Sequence, residues 1–344
     1  MTSTPGTALP SGALPRQRPA RHAGPVATRS DEERDGVALT NLDQELFTGA
    51  GVTKRELVDY LDGMAPRLLP ALAGRPLSVV RALRGQKPFM QKNVPRYAPD
   101  FVRTVSFWAE SSHREVAYAL CDDRPTLLWF ANQRAIEYHP TLTRADTMDT
   151  PEHLVLDLDP PEDAGFDAVV AAAHLVRRAL DEAGLRGVVK TTGAKGVHVL
   201  VPLAPGPTHE DVAGATRALA VRTERLGPDV TTTAFIRADR GGKVFVDPTR
   251  AGGSTIAAVY SPRVRPGLPV SFPVSWDELD TVVPSEITVR TAPDRPDPWA
   301  DPAAHPAPQA LPDELVAEGR TIPVARVQAM HEGKRRKRAA ERGE

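Results

Sequence analysis

Between His153 and Asp247 the chain alternates short apolar runs with amphipathic stretches, in an order that few folds accept. HLVLDLD reads as a strand closed by Pro160 and Pro161, since proline cannot donate to a sheet ladder. FDAVVAAAHLVRRALDEAG carries apolar residues at helical spacing, with Gly184 placed to end the helix. GVVKTT and VHVLVPL read as strands joined by the glycine turn GAKG. HEDVAGATRALAVRTERLG reads as a second helix, and KVFVD as a further strand before a glycine-rich AGGS loop. Strand, helix, strand, strand, helix is the order of a split βαβ core. The expected fold class is therefore α+β.

Upstream, VTKRELVDYLDGMAPRLLPAL predicts a helix from Thr53 to about Leu69. Thr53 and Glu56 have capping-box spacing, and Leu57, Tyr60, Leu61 and Met64 mark one face. RPLSVVRAL predicts a strand, and VRTVSFWAE with EVAYALCD an antiparallel pair. TLLWFANQRAIEYH predicts a helix ending before Pro140. Residues 1–36 are expected to form a disordered tail and 37–290 the domain. Residues 291–344 are expected to form a proline-rich linker with a basic KRRKR tail.

A formal net charge of -1 excludes a uniformly basic nucleic-acid coat. Any binding to a phosphate backbone must come from a local basic face. Cys121 is the sole cysteine, which excludes a disulfide framework and a multi-cysteine zinc site and fits a reducing cytoplasm. No apolar run reaches the length of a membrane span, and the N-terminus lacks the apolar segment of a signal peptide. The expectation is a soluble, cytoplasmic protein with no membrane partner.

Asp157 and Asp159 sit at i and i+2 on a strand, so their carboxylates share one side where the strand ends. KVFVD also ends in an aspartate, Asp247. Hard divalent cations take oxygen ligands, and three carboxylates on adjacent strand ends suit two-metal phosphoryl transfer. The alternative is that Asp-Pro pairs only terminate strands. In KTTGAKGVHVLVPL, Thr192, Lys195 and His198 surround a turn whose glycines let backbone N–H groups approach phosphate. An ordinary hairpin turn is the competing reading, and the spacing is not that of a Walker A loop. Arg240, Lys243 and Arg263 frame the third aspartate, and arginine suits forked contacts to phosphate.

Taken in order, LTNLDQELF, TKRELVDY, GRPLSVVRAL, FMQKNVP, LLWFANQRAIEYHP, LVLDLDP, TTGAKGVHVLVPL, KVFVDPTR and YSPRVRPGLPVSFPVSWDEL resemble the primase-polymerase domain of bacterial ligase D. That domain belongs to the archaeo-eukaryotic primase superfamily, and the resemblance runs from about Leu39 to Ser285. It implies a primase-polymerase fold with an RRM-like catalytic core and antiparallel sheets flanked by helices. It implies that Asp157, Asp159 and Asp247 are the catalytic metal ligands, for two Mn²⁺ or Mg²⁺ ions. Thr192, Lys195, His198 and Arg263 match the triphosphate pocket, and Arg240 and His139 match further contacts to the nucleotide. Phe89 matches an aromatic that stacks on the base, and Lys54 a lysine that recognises a DNA 5′-phosphate. Asn132 and Gln133 match the segment bearing the histidine and receive no direct role. The chain departs from the pattern at Met90, beside Phe89, and at Gln44, where a second phosphate lysine is expected. The AGGS loop is shorter than usual, and the loop at RALRGQKP, with Arg81, also differs.

The implied activity is DNA-dependent nucleotidyl transfer, adding ribo- or deoxyribonucleotides to primer ends in non-homologous end joining. The implied partners are primer-template or broken DNA ends and nucleoside triphosphates, with a separate DNA ligase and Ku, and the implied location is the nucleoid. Gap filling in excision repair, a catalytically inert DNA-binding module and a metal-dependent hydrolase are the rivals. The intact aspartates oppose the inert module, and the glycine, lysine and histidine cradle favours triphosphate use over hydrolysis.

Overall fold

The computed structural model describes residues 31–109, 113–250, 254–301 and 305–324. The expected tail at 1–30 and the KRRKR cluster lie outside the described residues. Order begins earlier than Val37. Strands β1 (Glu32–Arg34) and β2 (Val37–Leu39) form an antiparallel hairpin, turned by Gly36 at φ 76°. Helix α1 runs Lys54–Leu72 and is capped by the expected box: Glu56 N donates to Thr53 Oγ1 and Thr53 N to Glu56 Oε2.

A five-stranded antiparallel sheet follows. Strands β3 (Pro76–Arg81), β4 (Phe89–Gln91), β5 (Thr104–Ala109) and β6 (Arg114–Leu120) run in the order β4-β3-β6-β5. Helix α2 spans only Arg124–Asn132, and β7 (Ala135–Pro140) pairs with β3. This corrects the helix expected to continue through His139. The break falls at Arg134, held at φ 60°, a left-handed conformation that ends a helix. Every residue of β7 is buried, so no alternation betrays the strand.

The second sheet carries the expected core. It contains β8 (His153–Asp159), β9 (Val188–Thr191), β10 (Val197–Pro202), β11 (Thr231–Thr232), β12 (Val244–Asp247) and β13 (Pro273–Val274), in the order β11-β12-β8-β10-β9-β13. Strand β10 is antiparallel to both β8 and β9. Those two are therefore parallel, joined by α3 (Phe166–Glu182) and split by β10, as a split βαβ unit requires. Helix α4 (His209–Leu226) packs beside α3 on the same sheet.

The segment expected to be a linker is partly structured. Ala292 is fully buried, and α5 (Asp313–Thr321) packs on α4 with Leu315 fully buried. A Cβ on Gly319 would lie 1.8 Å from Gly214 O, so glycine alone permits this approach of the two helices. Residues 254–262 stitch the sheets together: Ala258 N donates to Tyr138 O and Tyr138 N to Ser261 Oγ. The catalytic candidates face the cleft beside this seam.

Candidate active site

Along β8, Leu154, Leu156 and Leu158 join the core formed with Val169, Val176, Val212 and Leu219 of α3 and α4. Val155 instead packs with Leu142, Leu200 and Ile256. Asp157 and Asp159 are in phase with Val155 and so lie on the helix-free face. On β10, His198 stands opposite Asp157, and on β12 Asp247 does. Lys190 of β9 stands opposite His198. Directly opposed residues share a face, so Asp247, Asp157, His198 and Lys190 form one row across four strands.

Asp157 and His198 of this row floor a cleft of about 810 Å³. Of the expected residues, His139, Asp157, Asp159, Thr192, Lys195, His198, Arg240 and Arg263 line it, together with Met90, Lys243 and Arg250. Asp247 is nearly buried behind Arg250, whose Nε lies 3.0 Å from Asp157 Oδ2 and 3.5 Å from Asp247 Oδ2. Arg240 reaches Asp159 Oδ2 at 3.0 Å, with its guanidinium carbon 3.9 Å from the centre of the Phe245 ring. His198 Nε2 approaches Asp157 Oδ1 at 3.3 Å. Burial, reinforced by Lys190, pushes His198 down to about 4, so the imidazole is neutral at pH 7. Burial opposes ionisation of Asp157, but the His198 hydrogen bond and the Arg250 guanidinium outweigh it and hold the carboxyl well below its usual range. With His198 neutral, Arg250 supplies the positive charge at that carboxylate.

The GAKG turn is built differently from the expected open cradle. A Cβ on Gly193 would lie 2.7 Å from Ser271 N, and one on Gly196 2.3 Å from Leu158 O. These glycines let the turn press on its own supporting strands. Thr192 Oγ1 accepts from Ala194 N and Gly196 N, both at 3.2 Å, so its hydroxyl closes the turn. Lys195 Nζ donates to Glu162 O across the cleft mouth. Arg263 braces the turn by donating to Thr192 O at 2.7 Å.

Two expected residues lie elsewhere. Phe89 does not line the cleft; it is exposed beneath the Arg81 guanidinium at 5.9 Å, and its neighbour Met90 faces the cleft instead. Lys54 is 2% exposed, and its ammonium donates to Thr40 O and Asn132 Oδ1, both at 2.6 Å. Burial and the nearby Arg134 lower it to about 8. Arg134 also donates to Gln44 Oε1 at 3.0 Å, so it brings a positive charge to the place where Gln44 lacks one. Arg55 is engaged by Glu32 and Asp43.

Glu137 is a site residue that the sequence does not single out. It accepts from Val264 N at 2.9 Å and meets His139 Nε2 at 2.8 Å and Arg263 Nε at 3.1 Å. It thereby joins His139 of β7 to Arg263, a nucleotide-site candidate that lies outside both sheets. Its signal is the i, i+2 spacing to His139, visible only when the segment is read as a strand. Arg250 lies in plain view in KVFVDPTR, but nothing in the sequence says that it turns back onto Asp157 and Asp247. Lys190 reads in the sequence only as part of a strand.

Among the described residues, no three carboxylate, imidazole or thiol side chains converge closely enough to cage an ion as they stand. Arg240 and Arg250 occupy the carboxylate oxygens instead. The donor set still fits a hard divalent cation, because Asp157, Asp159 and Asp247 offer only oxygen ligands from neighbouring strands on one face.

A split βαβ sheet joined to an antiparallel sheet, with acidic residues facing a basic-walled cleft, is a primase-polymerase architecture. The chain belongs to the LigD primase-polymerase domain family, which matches residues 53–303. It is 33% identical over 280 residues to the bifunctional non-homologous end joining protein LigD of Bacillus subtilis, covering 80% of this chain and 44% of that protein. Against the multifunctional LigD of Mycolicibacterium smegmatis the identity is 31% over 253 residues, covering 72% of this chain and 33% of that one. The chain thus spans less than half the length of these relatives. The polymerase domain of Mycobacterium tuberculosis ligase D, solved in complex with DNA, superposes with a TM-score of 0.68 at 31% identity. That match covers 76% of this chain and 96% of the other. No helix among the described residues is long and apolar enough to cross a membrane.

Proposed function

We propose that this protein is a DNA-dependent nucleotidyl transferase that extends primer ends with ribo- or deoxyribonucleotides during repair of broken DNA by non-homologous end joining. The observation that carries the reading is the row Asp247, Asp157 and His198, with Asp159 one step along β8, facing a cleft walled by Lys195, Arg240, Lys243, Arg250 and Arg263. A triphosphate carries several negative charges, and such a wall offsets them before and during transfer.

In this reading Asp157, Asp159 and Asp247 hold two divalent ions, Mn²⁺ or Mg²⁺. Ions held there would supply activation of the primer 3′-hydroxyl and stabilisation of the pyrophosphate leaving group. The remaining work falls to the chain. Arg263, held against Thr192 O and Glu137, presents its guanidinium to the phosphates. Neutral His198 offers an uncharged donor beside Asp157, so it adds no positive charge that would compete with a cation there. Lys195, on the β10 side, and Arg240, on the β12 side, flank the C-terminal end of β8 and orient the triphosphate between them. Met90, with Phe89 behind it, supplies apolar surface for the base. The primer-template or broken end, nucleoside triphosphates, a separate ligase and Ku are the partners this role needs, and it places the protein with the nucleoid in the cytoplasm.

The test is one gel. Protein is incubated with Mn²⁺, labelled nucleoside triphosphate and a primer-template. Primer extension supports the reading. Cleavage of the DNA without extension points to a hydrolase, and retention without chemistry to an inert binding module; either result overturns it. A short gap compared with a broken end then separates gap filling from end joining.

A further inference from the structure

We propose that Arg250 is a resident counter-cation that occupies the divalent-metal site and must be displaced for metal to bind. This rests on the metal-dependent reading above. The two carboxylates opposed across β8 and β12 carry like charge and repel one another. Arg250 answers that with one group, its Nε lying between Asp157 Oδ2 at 3.0 Å and Asp247 Oδ2 at 3.5 Å. A cation ligated by both residues needs the same oxygens, so guanidinium and metal exclude one another.

The two arginines at this site are not equivalent. Arg240 is anchored by Ala234 O, Phe235 O and the face of Phe245 as well as by Asp159, and its side chain is 15% exposed. Those anchors keep it in place when Asp159 turns to a metal. The side chain of Arg250 is 40% exposed, and among the described residues its polar contacts are with Asp157 and Asp247. Asp247 is oriented without it, since Oδ1 accepts from Thr249 N at 2.8 Å. Arg250 can therefore swing into the cleft it lines while the carboxylates keep their places. Released, its charge lies in the same cleft as Lys195 and Arg263, where a triphosphate entering with metal would meet it. Metal binding alone is thus weakened by competition, and metal binding with nucleotide is favoured, because the displaced arginine finds a new anionic partner.

The full chain is titrated with Mn²⁺ alone, and free Mn²⁺ is counted by electron paramagnetic resonance. Arg250→Gln is expected to lower the apparent dissociation constant roughly five- to tenfold, the scale of losing one competing charge-assisted contact. Arg250→Lys, which keeps the charge, should stay closer to wild type. Arg265→Gln, a cleft-wall change with no carboxylate contact among the described residues, calibrates the general effect of removing one positive charge. Melting temperatures confirm that each variant folds. Unchanged or weaker Mn²⁺ binding by Arg250→Gln, or tightening no greater than that of Arg265→Gln, overturns the proposal while leaving the metal reading intact. If neither wild type nor Arg250→Gln shows Mn²⁺ binding that Asp157→Asn abolishes, both fall together.

Discussion

Replacing Glu137 with glutamine removes one charge and keeps the shape of a group that holds His139 at 2.8 Å, Arg263 at 3.1 Å and Val264 N at 2.9 Å. Burial alone would raise this carboxyl, yet His139, Arg263 and the Val264 amide bring it down from 4.5 to about 2. That fall corresponds to about 3 kcal/mol of interaction with the ionised form. Glutamine retains an acceptor for Val264 N, so about 2 kcal/mol is lost from the contacts that aim His139 and Arg263. Expressed on nucleotide use, this is a fall of roughly 30-fold in kcat/KM. Most of it should appear in KM, because Arg263 is assigned to the bound triphosphate before transfer. Since the folded value is depressed, the contribution is complete above the ordinary 4.5 and is lost only as pH falls toward about 2. The Glu137 carboxylate is therefore ionised both at about pH 6 and at about pH 8. The assay is nucleotide titration at saturating primer-template, with melting temperature alongside. A variant that melts earlier but uses nucleotide as well as wild type would show that Glu137 serves only packing, and would refute the positioning argument.

Lys190 is held near 7 by burial and by Arg263, well below an ordinary lysine, so protons leave it on folding and stability rises with pH between about 7 and about 10. Lys190→Met should be the more stable protein near pH 7, and its advantage should shrink in melts taken near pH 9; a constant difference would contradict the titration. Gly319→Ala should undock α5, lowering the melting temperature by several degrees while primer extension at 25 °C persists, as expected when a peripheral buried contact is lost. Loss of extension with the core still folded would place α5 in the site. Gln44→Lys should sharpen the preference for 5′-phosphorylated gaps, measured by binding to gapped DNA with and without the phosphate. If wild type already discriminates strongly and the variant adds nothing, Arg134 has supplied the missing charge.

The catalytic sheet is legible in the sequence because its strands and helices announce themselves through period. In β8 the leucines and aspartates alternate, and α3 and α4 carry helical stripes bounded by capping residues and glycine. The same period is enough to put Asp157 and Asp159 on one face. Strand β7 is hidden because it is buried on both faces and follows a true helix whose last turn ends in the left-handed Arg134. A helical reading there hides Glu137 as well, since residues two apart share a face in a strand and not in a helix. Helix α5 gives a weak signal because its nine residues have few apolar positions and lie amid prolines; its docking depends on the Gly214–Gly319 approach, a tertiary fact. The pairing of Arg250 with Asp157 is likewise tertiary, joining residues 93 apart in the chain.

The central claim, that the β8 and β12 carboxylates carry nucleotidyl transfer, is tested most directly by Asp157→Asn and Asp159→Asn in Mn²⁺-dependent primer extension, with DNA binding measured on the same preparations. Each change removes one carboxylate charge and keeps the side-chain volume. The account predicts that extension falls by at least about a thousandfold in either variant, the loss of several kcal/mol of transition-state stabilisation, while affinity for primer-template stays near wild type. Substantial extension by either folded variant would contradict it.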